Sequence, residues 1–243
     1  MNEPTPSVAE LQAQYRRLLQ RLEANEREFR RLGRAVWRVQ EDERRHLARE
    51  LHDGIGQNLT ALKHRLAQIA GEFGPGQDAL RMRMETAIAL CSGALEDTRQ
   101  LSRLLRPPIL DDLGLVPALQ WLGRSVGEAS GMAVVVEIDE LPPLGGELQT
   151  LLFRVAQEAF NNVVRHARAS SVLLRLVARH GELQLQVIDD GVGFDPAEAR
   201  GSGLGGMRER LRLHDGRLEL RSAPGQGTRL RAVVPLAEGG PPA

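Results

Sequence analysis

The segment ERRHLARELHDGIGQNLTALKHRL, residues 43–66, decides how the first half of this chain folds. Its apolar side chains recur every three or four residues, which is the spacing of one face of an α-helix. The stripe consists of Leu47, Leu51, Ile55, Leu59, Leu62 and Leu66, and Ile69 extends it. The sequence therefore predicts a long helix that buries one stripe and leaves its other side chains in water.

A turn and a second helix of the same kind follow this segment. The turn is GEFGPGQ at 71–77, whose glycines and proline must end the first helix. The second helix runs from about Leu80 to Leu105 at heptad-like spacing, and Pro107 and Pro108 stop it. One such hairpin cannot cover both of its stripes, whereas two copies form a four-helix bundle with a common core. We therefore expect a homodimer, with Cys91 as a small core residue.

The residues before the hairpin predict a coiled coil. Apolar positions alternate spacings of three and four without a break, and most other positions are Arg, Glu or Gln. Asn25 lies within this seam, where a polar residue fixes the register and the number of chains. A solvated helix packed on its own domain is the alternative that the pattern leaves open. The seam consists of Val8, Leu11, Tyr15, Leu18, Leu22, Asn25, Phe29, Leu32, Val36 and Val39.

Composition excludes several classes of function. The 32 basic and 32 acidic side chains balance, so bulk charge does not point to a nucleic-acid or membrane-surface partner. The only cysteine, Cys91, excludes an internal disulfide and a multi-cysteine metal site, and it fits a reducing compartment. No run reaches the roughly 18 apolar residues that cross a bilayer. We therefore expect a cytoplasmic protein without a membrane span or a direct nucleic-acid partner.

A histidine and an aspartate are adjacent within the first hairpin helix. At about 100° per residue, His52 lies on the flank of the buried stripe and Asp53 lies nearly opposite that stripe, so both reach solvent. A neutral imidazole is a usable nucleophile near neutral pH, and a neighbouring carboxylate orients its ring or accepts the proton of its other nitrogen. The dipeptide alone is weak evidence and favours an ordinary surface histidine, so the rest of the chain decides between the two.

A helix in the second half carries a second polar pair. The segment RVAQEAFNNVVRHA, residues 154–167, is amphipathic, and Glu158 and Asn162 are four residues apart on one face. A carboxylate and a carboxamide oxygen that converge on one spot can orient water and hold Mg²⁺. An ordinary polar surface pair is the alternative for this segment taken alone.

Three glycine-rich segments follow that helix. VIDDGVGFDP places Asp189, Gly191 and Gly193 where a strand gives way to a loop, and one carboxylate there can accept a hydrogen bond from the exocyclic amine of adenine. GSGLGGMRERL, residues 201–211, leads into a helix start that favours phosphate. PGQGT, residues 224–228, separates two strand-like runs at 217–221 and 229–234. Thr228 can add a hydroxyl to the phosphate site, and a simple turn is the alternative for this segment.

The chain resembles the bacterial two-component sensor histidine kinases, in the subfamily of the NarX-like and DesK-like kinases. The resemblance runs from about Glu41 to Pro235 and rests on six motifs in family order. They are ELHDGIGQ, LRPPILDDLGLVPAL, QEAFNNVVRHA, DDGVG, GLGGMRER and the terminal GQGT.

The resemblance implies an ATP-dependent kinase that phosphorylates itself and passes the phosphoryl group to an aspartate of a response regulator. His52 resembles the phosphoacceptor, and Asp53 resembles the acidic residue that assists proton removal. Gln57 completes a DxxxQ spacing, and in similar kinases this glutamine orients the water that dephosphorylates the partner. Glu158 corresponds to the acidic residue of the third motif, and Asn162 to a Mg²⁺ ligand. The resemblance thus also implies a phosphatase activity and a regulator with a DNA-binding output domain.

ATP and Mg²⁺ are the implied cofactors. Arg165 and His166 match positions near the phosphates, Asp189 matches the adenine-binding aspartate, and the glycines from Gly191 to Gly206 match a mobile ATP lid. The implied nucleotide-binding residues are Asn162, Arg165, His166, Asp189, Gly191, Gly193, Gly203, Leu204, Gly205, Gly206 and Thr228.

The expected fold class is α+β with two main parts. We expect a coiled-coil helix at 1–40, a dimerisation and phosphotransfer hairpin at 41–108, an α/β-sandwich ATPase domain at 113–236 and a disordered tail at 237–243. Because ATP and His52 belong to different domains, the ATPase domain must swing, and Pro107 and Pro108 are the candidate hinge.

Two other classes use the same nucleotide fold. A serine-kinase anti-sigma factor would not need His52, and the HDGIGQ context speaks against it. A non-catalytic dimeric scaffold would not need Glu158, Asn162 and Asp189, which are all present.

Overall fold

The computed structural model describes residues 8–105, 107–197 and 202–236. The predicted tail at 237–243, the first seven residues of the predicted coil and Gly201 lie outside these ranges. The α+β prediction is confirmed, because a long helical region precedes an α/β sheet domain.

Long helices form the first part of the chain. Helix α1 (Val8–Arg49) continues through a π-helical turn (Glu50–Gly56) into α2 (Gln57–Gly71), and α3 (Asp78–Leu105) returns along them. The chain reverses at the predicted Gly/Pro turn, where the side-chain oxygen of Gln77 accepts a hydrogen bond from the Gly74 amide at 2.8 Å. The hairpin prediction is therefore confirmed.

The backbone around His52 differs from the prediction. We expected an uninterrupted α-helix there, whereas residues 50–56 are π-helical. Two glycines, Gly54 and Gly56, lower the α-helical propensity of this segment. Because a π-helical turn pairs residues five apart, each residue turns by less than 100° here, and the angles of an ideal α-helix do not apply to this segment. Both His52 and Asp53 are nevertheless exposed, as expected.

The hairpin buries only part of its apolar surface. Cys91 is buried and its thiol donates to the carbonyl oxygen of Leu59 at 3.2 Å, so its prediction as a core residue is confirmed. Ser102 is also buried and donates to the carbonyl oxygen of Ala48 at 2.9 Å. Many stripe residues stay exposed: Leu47, Ile55, Leu62, Ile69, Leu80 and Leu101.

The second part of the chain is a two-layer domain. Its helices are α4 (Pro108–Asp112), α5 (Leu115–Ser130), α6 (Gly146–Asn162), which continues into a π-helical turn (Val163–Ala167), and α7 (Ser202–Leu213). Its strands are β1 (Ala133–Ile138), β2 (Ser171–Arg179), β3 (Glu182–Asp189), β4 (Arg217–Ser222) and β5 (Thr228–Pro235).

The five strands form one sheet in the order β1-β2-β3-β5-β4. Strands β1 and β2 are parallel, and the other neighbours are antiparallel. Alternate residues of β3, among them Leu183, Leu185 and Val187, are buried, which is the alternation seen in the sequence. The sheet therefore has one buried face, and α5, α6 and α7 pack on it.

A second face of α1 packs on this domain, which the coiled-coil prediction did not include. Trp37 is 6% exposed and belongs to the hydrophobic core of the sheet domain. The predicted seam lies on another face of α1 and is exposed at Tyr15, Leu18, Leu22, Phe29, Leu32, Val36 and Val39. Within one chain, α1 therefore packs on the sheet domain through this second face and leaves its seam uncovered, and the coiled coil stays a prediction.

Among the described residues, none of the helices is both long enough and apolar enough to cross a membrane.

Candidate nucleotide site and phosphoacceptor site

One cavity of about 370 Å³ opens between α6, the loop after β3, the start of α7 and β5. Seven of the predicted nucleotide-binding residues line it: Asn162, His166, Asp189, Gly193, Gly203, Leu204 and Thr228. Ala159, Phe194, Leu220 and Leu230 are among the apolar lining residues. Segments that are far apart in the sequence thus meet around one mostly apolar space of a size typical for a small ligand.

Asp189 is the buried carboxylate of this cavity. It ends β3, is 7% exposed and accepts a hydrogen bond from the Gly191 amide at 3.0 Å. Burial raises the pKa of Asp189, while hydrogen bonds from Gly191 and Thr228 oppose that rise. A single buried acceptor among apolar walls can recognise an exocyclic amine of a flat ring.

The glycines of the loop after β3 allow close backbone contacts. A side chain at Gly191 would collide with the carbonyl oxygen of Ala167, at the end of the π-helical turn after α6. Gly193 has φ +59°, and a side chain there would collide with the carbonyl oxygen of Ala223. Only glycine fits both positions, so the loop is held against the neighbouring segments and shapes the cavity.

Glu158 and Asn162 lie under the first turn of α7. Both are partly exposed on one face of α6. A side chain at Gly203 would collide with the Glu158 carboxylate, and the Asn162 side-chain nitrogen is 3.7 Å from the same point. The first turn of α7 therefore lies against the side chains of Glu158 and Asn162 at the edge of the cavity.

The structure does not bring every predicted residue to the cavity wall. Arg165 is exposed and, like Gly191, Gly205 and Gly206, does not line this cavity, whereas His166 does. Gly205 and Gly206 directly follow the lining residues Gly203 and Leu204 along α7.

Two polar side chains that hold segments of this site together, Asp190 and Ser222, were not predicted from the sequence. The Asp190 carboxylate accepts hydrogen bonds from the amides and hydroxyls of Ser170 and Ser171 at 2.7 to 2.9 Å, and these bonds lower its pKa. The Ser222 hydroxyl accepts from the Phe194 amide at 2.9 Å and donates to the carbonyl oxygen of Gly227 at 2.8 Å. The doubled acid in DDGVG and the Ser170–Ser171 pair were the available signals, but their pairing needs the sheet register.

His52 borders a different cavity, of about 340 Å³, between the π-helical turn, α2 and α3. Gln57, Thr60, His64 and Arg99 line it with His52, whereas Asp53 does not. No residue lines both cavities. His52 and the buried Asp189 therefore border two separate cavities.

Both π-helical turns in the described part of the chain coincide with predicted functional segments. One carries His52 and Asp53, and the other carries Arg165 and His166. Such turns are rare and occur frequently at functional sites. Periodicity in the sequence gave no sign of either.

Comparison with known proteins identifies two family models in the chain. The model described as "Histidine kinase" matches residues 43–110, and the model described as "Histidine kinase-, DNA gyrase B-, and HSP90-like ATPase" matches residues 147–238.

Curated relatives match across both models. The sensor histidine kinase MctS of Rhizobium johnstonii is 37% identical over 216 residues, which cover 86% of this chain and 47% of the relative. The histidine-protein kinase/phosphatase UhpB of Salmonella typhimurium is 35% identical over 209 residues, 84% of this chain and 41% of the relative. The chain therefore spans about half or less of the length of these relatives.

A solved histidine kinase domain of Erythrobacter litoralis EL346 aligns with a TM-score of 0.48 and 23% identity, over 75% of this chain and 95% of that domain. The two family models and the curated relatives agree on the family. This chain belongs to the bacterial two-component sensor histidine kinases, in the NarX-like subfamily.

Proposed function

We propose that this chain is an ATP-dependent protein histidine kinase that phosphorylates His52 and passes the phosphoryl group to an aspartate of a response regulator. The observation that carries the proposal is the meeting of four motifs, distant in sequence, around one cavity with a buried carboxylate, Asp189. The family membership and the exposed His52 on a separate element support it.

The cavity fits ATP as the substrate. Its apolar walls and Asp189 suit adenine, and the amides at the start of α7 suit phosphates beside Glu158 and Asn162. We propose that Asn162 binds Mg²⁺ and that Arg165, His166 and Thr228 lie near the phosphates. Mg²⁺ would neutralise phosphate charge, which is its usual part in phosphoryl transfer.

The proposed reaction is an in-line displacement. A ring nitrogen of His52 forms a bond to the γ-phosphorus, the bond from that phosphorus to the bridging oxygen breaks, and ADP leaves. The proton on the other ring nitrogen of His52 passes to Asp53, with Glu158 as the acid or base on the nucleotide side. The phosphoryl group then moves from the histidine nitrogen to the regulator's aspartate, which restores His52.

The remaining parts of the proposal concern assembly and reversal. The exposed apolar stripes of α1, α2 and α3 suit a second copy of the chain, so we propose a homodimer with a four-helix bundle. Gln57, which borders the His52 cavity, would orient water for a phosphatase activity. We further propose that the protein acts in the cytoplasm and that its regulator carries a DNA-binding output domain.

Labelling with γ-labelled ATP and Mg²⁺ tests the proposal. We expect an acid-labile, alkali-stable label that is absent from His52→Gln, because phosphohistidine is the product. The matched control is His64→Gln, since His64 borders the same cavity and should keep its label. A label that survives in His52→Gln, or one on serine, would contradict the proposal and favour a serine kinase. A chain that binds no nucleotide would instead be a scaffold.

A further inference from the structure

The face of the sheet opposite α5, α6 and α7 carries a row of side chains that crosses all five strands. These side chains point away from the helices, because their neighbours along the strands, such as Val134, Leu174 and Leu230, pack in or against the core. Strand pairing places the members side by side, one per strand, so the row is about 19 Å long. We call it the mixed row. In sheet order its members are Val135, Leu173, Ile188, Arg229 and Arg221.

The mixed row is apolar over three strands and cationic over two. Val135 is 52% exposed, and Leu173 and Ile188 are half-buried. Arg229 and Arg221 are exposed and directly opposite each other, and like charges in this arrangement destabilise a sheet. Among the residues that the structure describes, neither guanidinium has a hydrogen bond or an ion pair. Two positive charges therefore lie uncompensated beside an apolar strip.

The neighbouring row of the same face compensates its charges within the chain. Arg175 of this second row lies 3.7 Å from the carboxylate of Glu137. Arg231 of the same row donates to Glu219 at 3.0 Å. The two rows are only two residues apart along each strand. The unpaired charge is therefore specific to the mixed row and is not a general property of this face.

The other end of this face also covers its own apolar residues. Val177 and Val233 lie outside the helical core, and yet they are only 4% and 0% exposed. Gln184 lies between them in the strand pairing, and its side-chain oxygen accepts a hydrogen bond from Arg231 at 2.8 Å. Long polar side chains thus close over this end of the face, whereas Val135 of the mixed row stays exposed.

The cationic half of the mixed row borders two depressions. Arg221 and Arg229 line both of them. One has a volume of about 360 Å³ and includes Ile188, and the other has about 160 Å³ and includes Gln186 and Arg231. The Nε of Arg231 is buried and, within the described ranges of the chain, has no hydrogen-bond partner. The depressions therefore suit carboxylates, which guanidinium groups bind through paired hydrogen bonds.

We propose that the mixed row is a docking surface for a protein segment with apolar side chains at one end and carboxylates at the other. The apolar side chains cover Val135, Leu173 and Ile188, and the carboxylates pair with the two arginines. Such an occupant removes the like-charge repulsion and buries the apolar strip at the same time. A length of about 19 Å corresponds to about six extended residues or about 13 helical residues. The surface faces away from α6 and α7, so its use does not depend on the proposed phosphoryl transfer.

Two other anionic partners fit the mixed row less well. Proteins bind single-stranded nucleic acid through aromatic side chains that stack on bases and through a cationic groove that follows the backbone. The mixed row has no aromatic member and only two arginines. Anionic membranes are bound by clusters of roughly four or more cations. The pairing of an apolar strip with two cations therefore favours a protein segment.

Peptide binding to the full chain tests the proposal. The probe is a fluorescein-labelled peptide with leucines in one half and glutamates in the other, and fluorescence anisotropy measures its dissociation constant. We expect Arg221→Glu combined with Arg229→Glu to weaken binding at least about tenfold. The matched control combines Arg179→Glu with Arg217→Glu, which changes the net charge equally on exposed positions of the same strands' far ends. This control should bind the peptide like the wild type.

A charge-swapped peptide distinguishes lost docking from a misfolded variant. With lysines in place of the glutamates, the peptide should bind the wild type poorly. It should bind the variant with Arg221→Glu and Arg229→Glu at least about tenfold more tightly than it binds the wild type. A misfolded chain cannot gain this affinity, so the swap reports on the row itself.

Four results would overturn the proposal. The first is no binding of the glutamate peptide to the wild type below about 1 mM. The second is equal binding by the double variant and its control. The third is tighter binding of a single-stranded oligonucleotide or of anionic phosphatidylserine vesicles than of the peptide. The fourth is a wild-type assembly, seen by sedimentation velocity, that the double variant loses, because the row would then bind a second copy of the chain. None of these results bears on phosphorylation of His52, which is tested separately.

Discussion

The helical region and the sheet domain bury their apolar residues to very different extents. In the sheet domain, Phe153, Phe160, Leu174 and Leu185 are fully buried within the single chain. In the hairpin, by contrast, α2 has no buried residue, although its stripe is equally apolar. A sheet with helices on one face closes its own core, whereas two helices leave a stripe uncovered. The difference supports the proposed homodimer, because the sheet domain has a closed core within one chain whereas the helical region leaves apolar stripes exposed.

The largest effect is expected inside the sheet domain. Phe153→Ala removes a fully buried ring from α6 and should lower the free energy of unfolding by about 3 to 5 kcal/mol. Urea unfolding followed by circular dichroism measures this loss, which should not depend on protein concentration. The control is Val135→Ala on β1, because Val135 is 52% exposed. An equal loss in both variants would show that the domain lacks the closed core described above.

An intermediate effect is expected on the seam of α1. Leu32→Asp places a charge on a stripe that a second copy would cover, so it should weaken dimerisation at least about tenfold, or about 1.4 kcal/mol. Analytical ultracentrifugation over a dilution series measures the dissociation constant. Arg31→Asp is the neighbouring control, since Arg31 is 82% exposed and points about 100° away. If Leu32→Asp dimerised like the wild type, the seam would not be the covered stripe.

The smallest effect is a pH dependence of stability that we expect from His214, at the contact between α1 and the sheet domain. Burial lowers the pKa of His214 below its ordinary value of 6.5, although nearby Glu147 opposes that shift. The folded chain therefore binds fewer protons than the unfolded chain just below that pH, and stability falls as pH drops from 6.5 through the lowered pKa.

Melting temperatures across this pH window test the sign of the effect. The wild type should lose more stability on acidification than His214→Gln, which cannot be protonated. The control is His64→Gln, on the exposed surface of α2, which should follow the wild type. A wild type that becomes more stable as pH falls would contradict a lowered pKa of the partly buried His214.

Sequence patterns predicted the parts of the molecule that depend on neighbours along the chain. The turn at 71–77, the strand alternation of Leu183, Leu185 and Val187, and the nucleotide motifs all follow from local spacing. The motifs also predicted that Asp189, Gly203 and Thr228 belong to one nucleotide site, and these three residues line the same cavity.

The missed features depend on contacts across the chain. Glu41 and Arg154 are 113 residues apart, and nothing in either helix indicates that they pair. Trp37 lies off the apolar seam among charged residues, which was the one available sign of a second buried face on α1. The π-helical turns leave the apolar spacing almost unchanged, so a test based on 3.6 residues per turn does not detect them.

The π-helical turn at Glu50–Gly56 also has a mechanical consequence. A wide turn accommodates an extra residue between two α-helical segments. If the π-helical turn shifts along the helix, each residue that it passes rotates by about 100° around the helix axis. The α-helical segments on either side keep their positions. His52 lies within this turn, so its ring can be aimed in a new direction without a displacement of α1 or α2 along their axes.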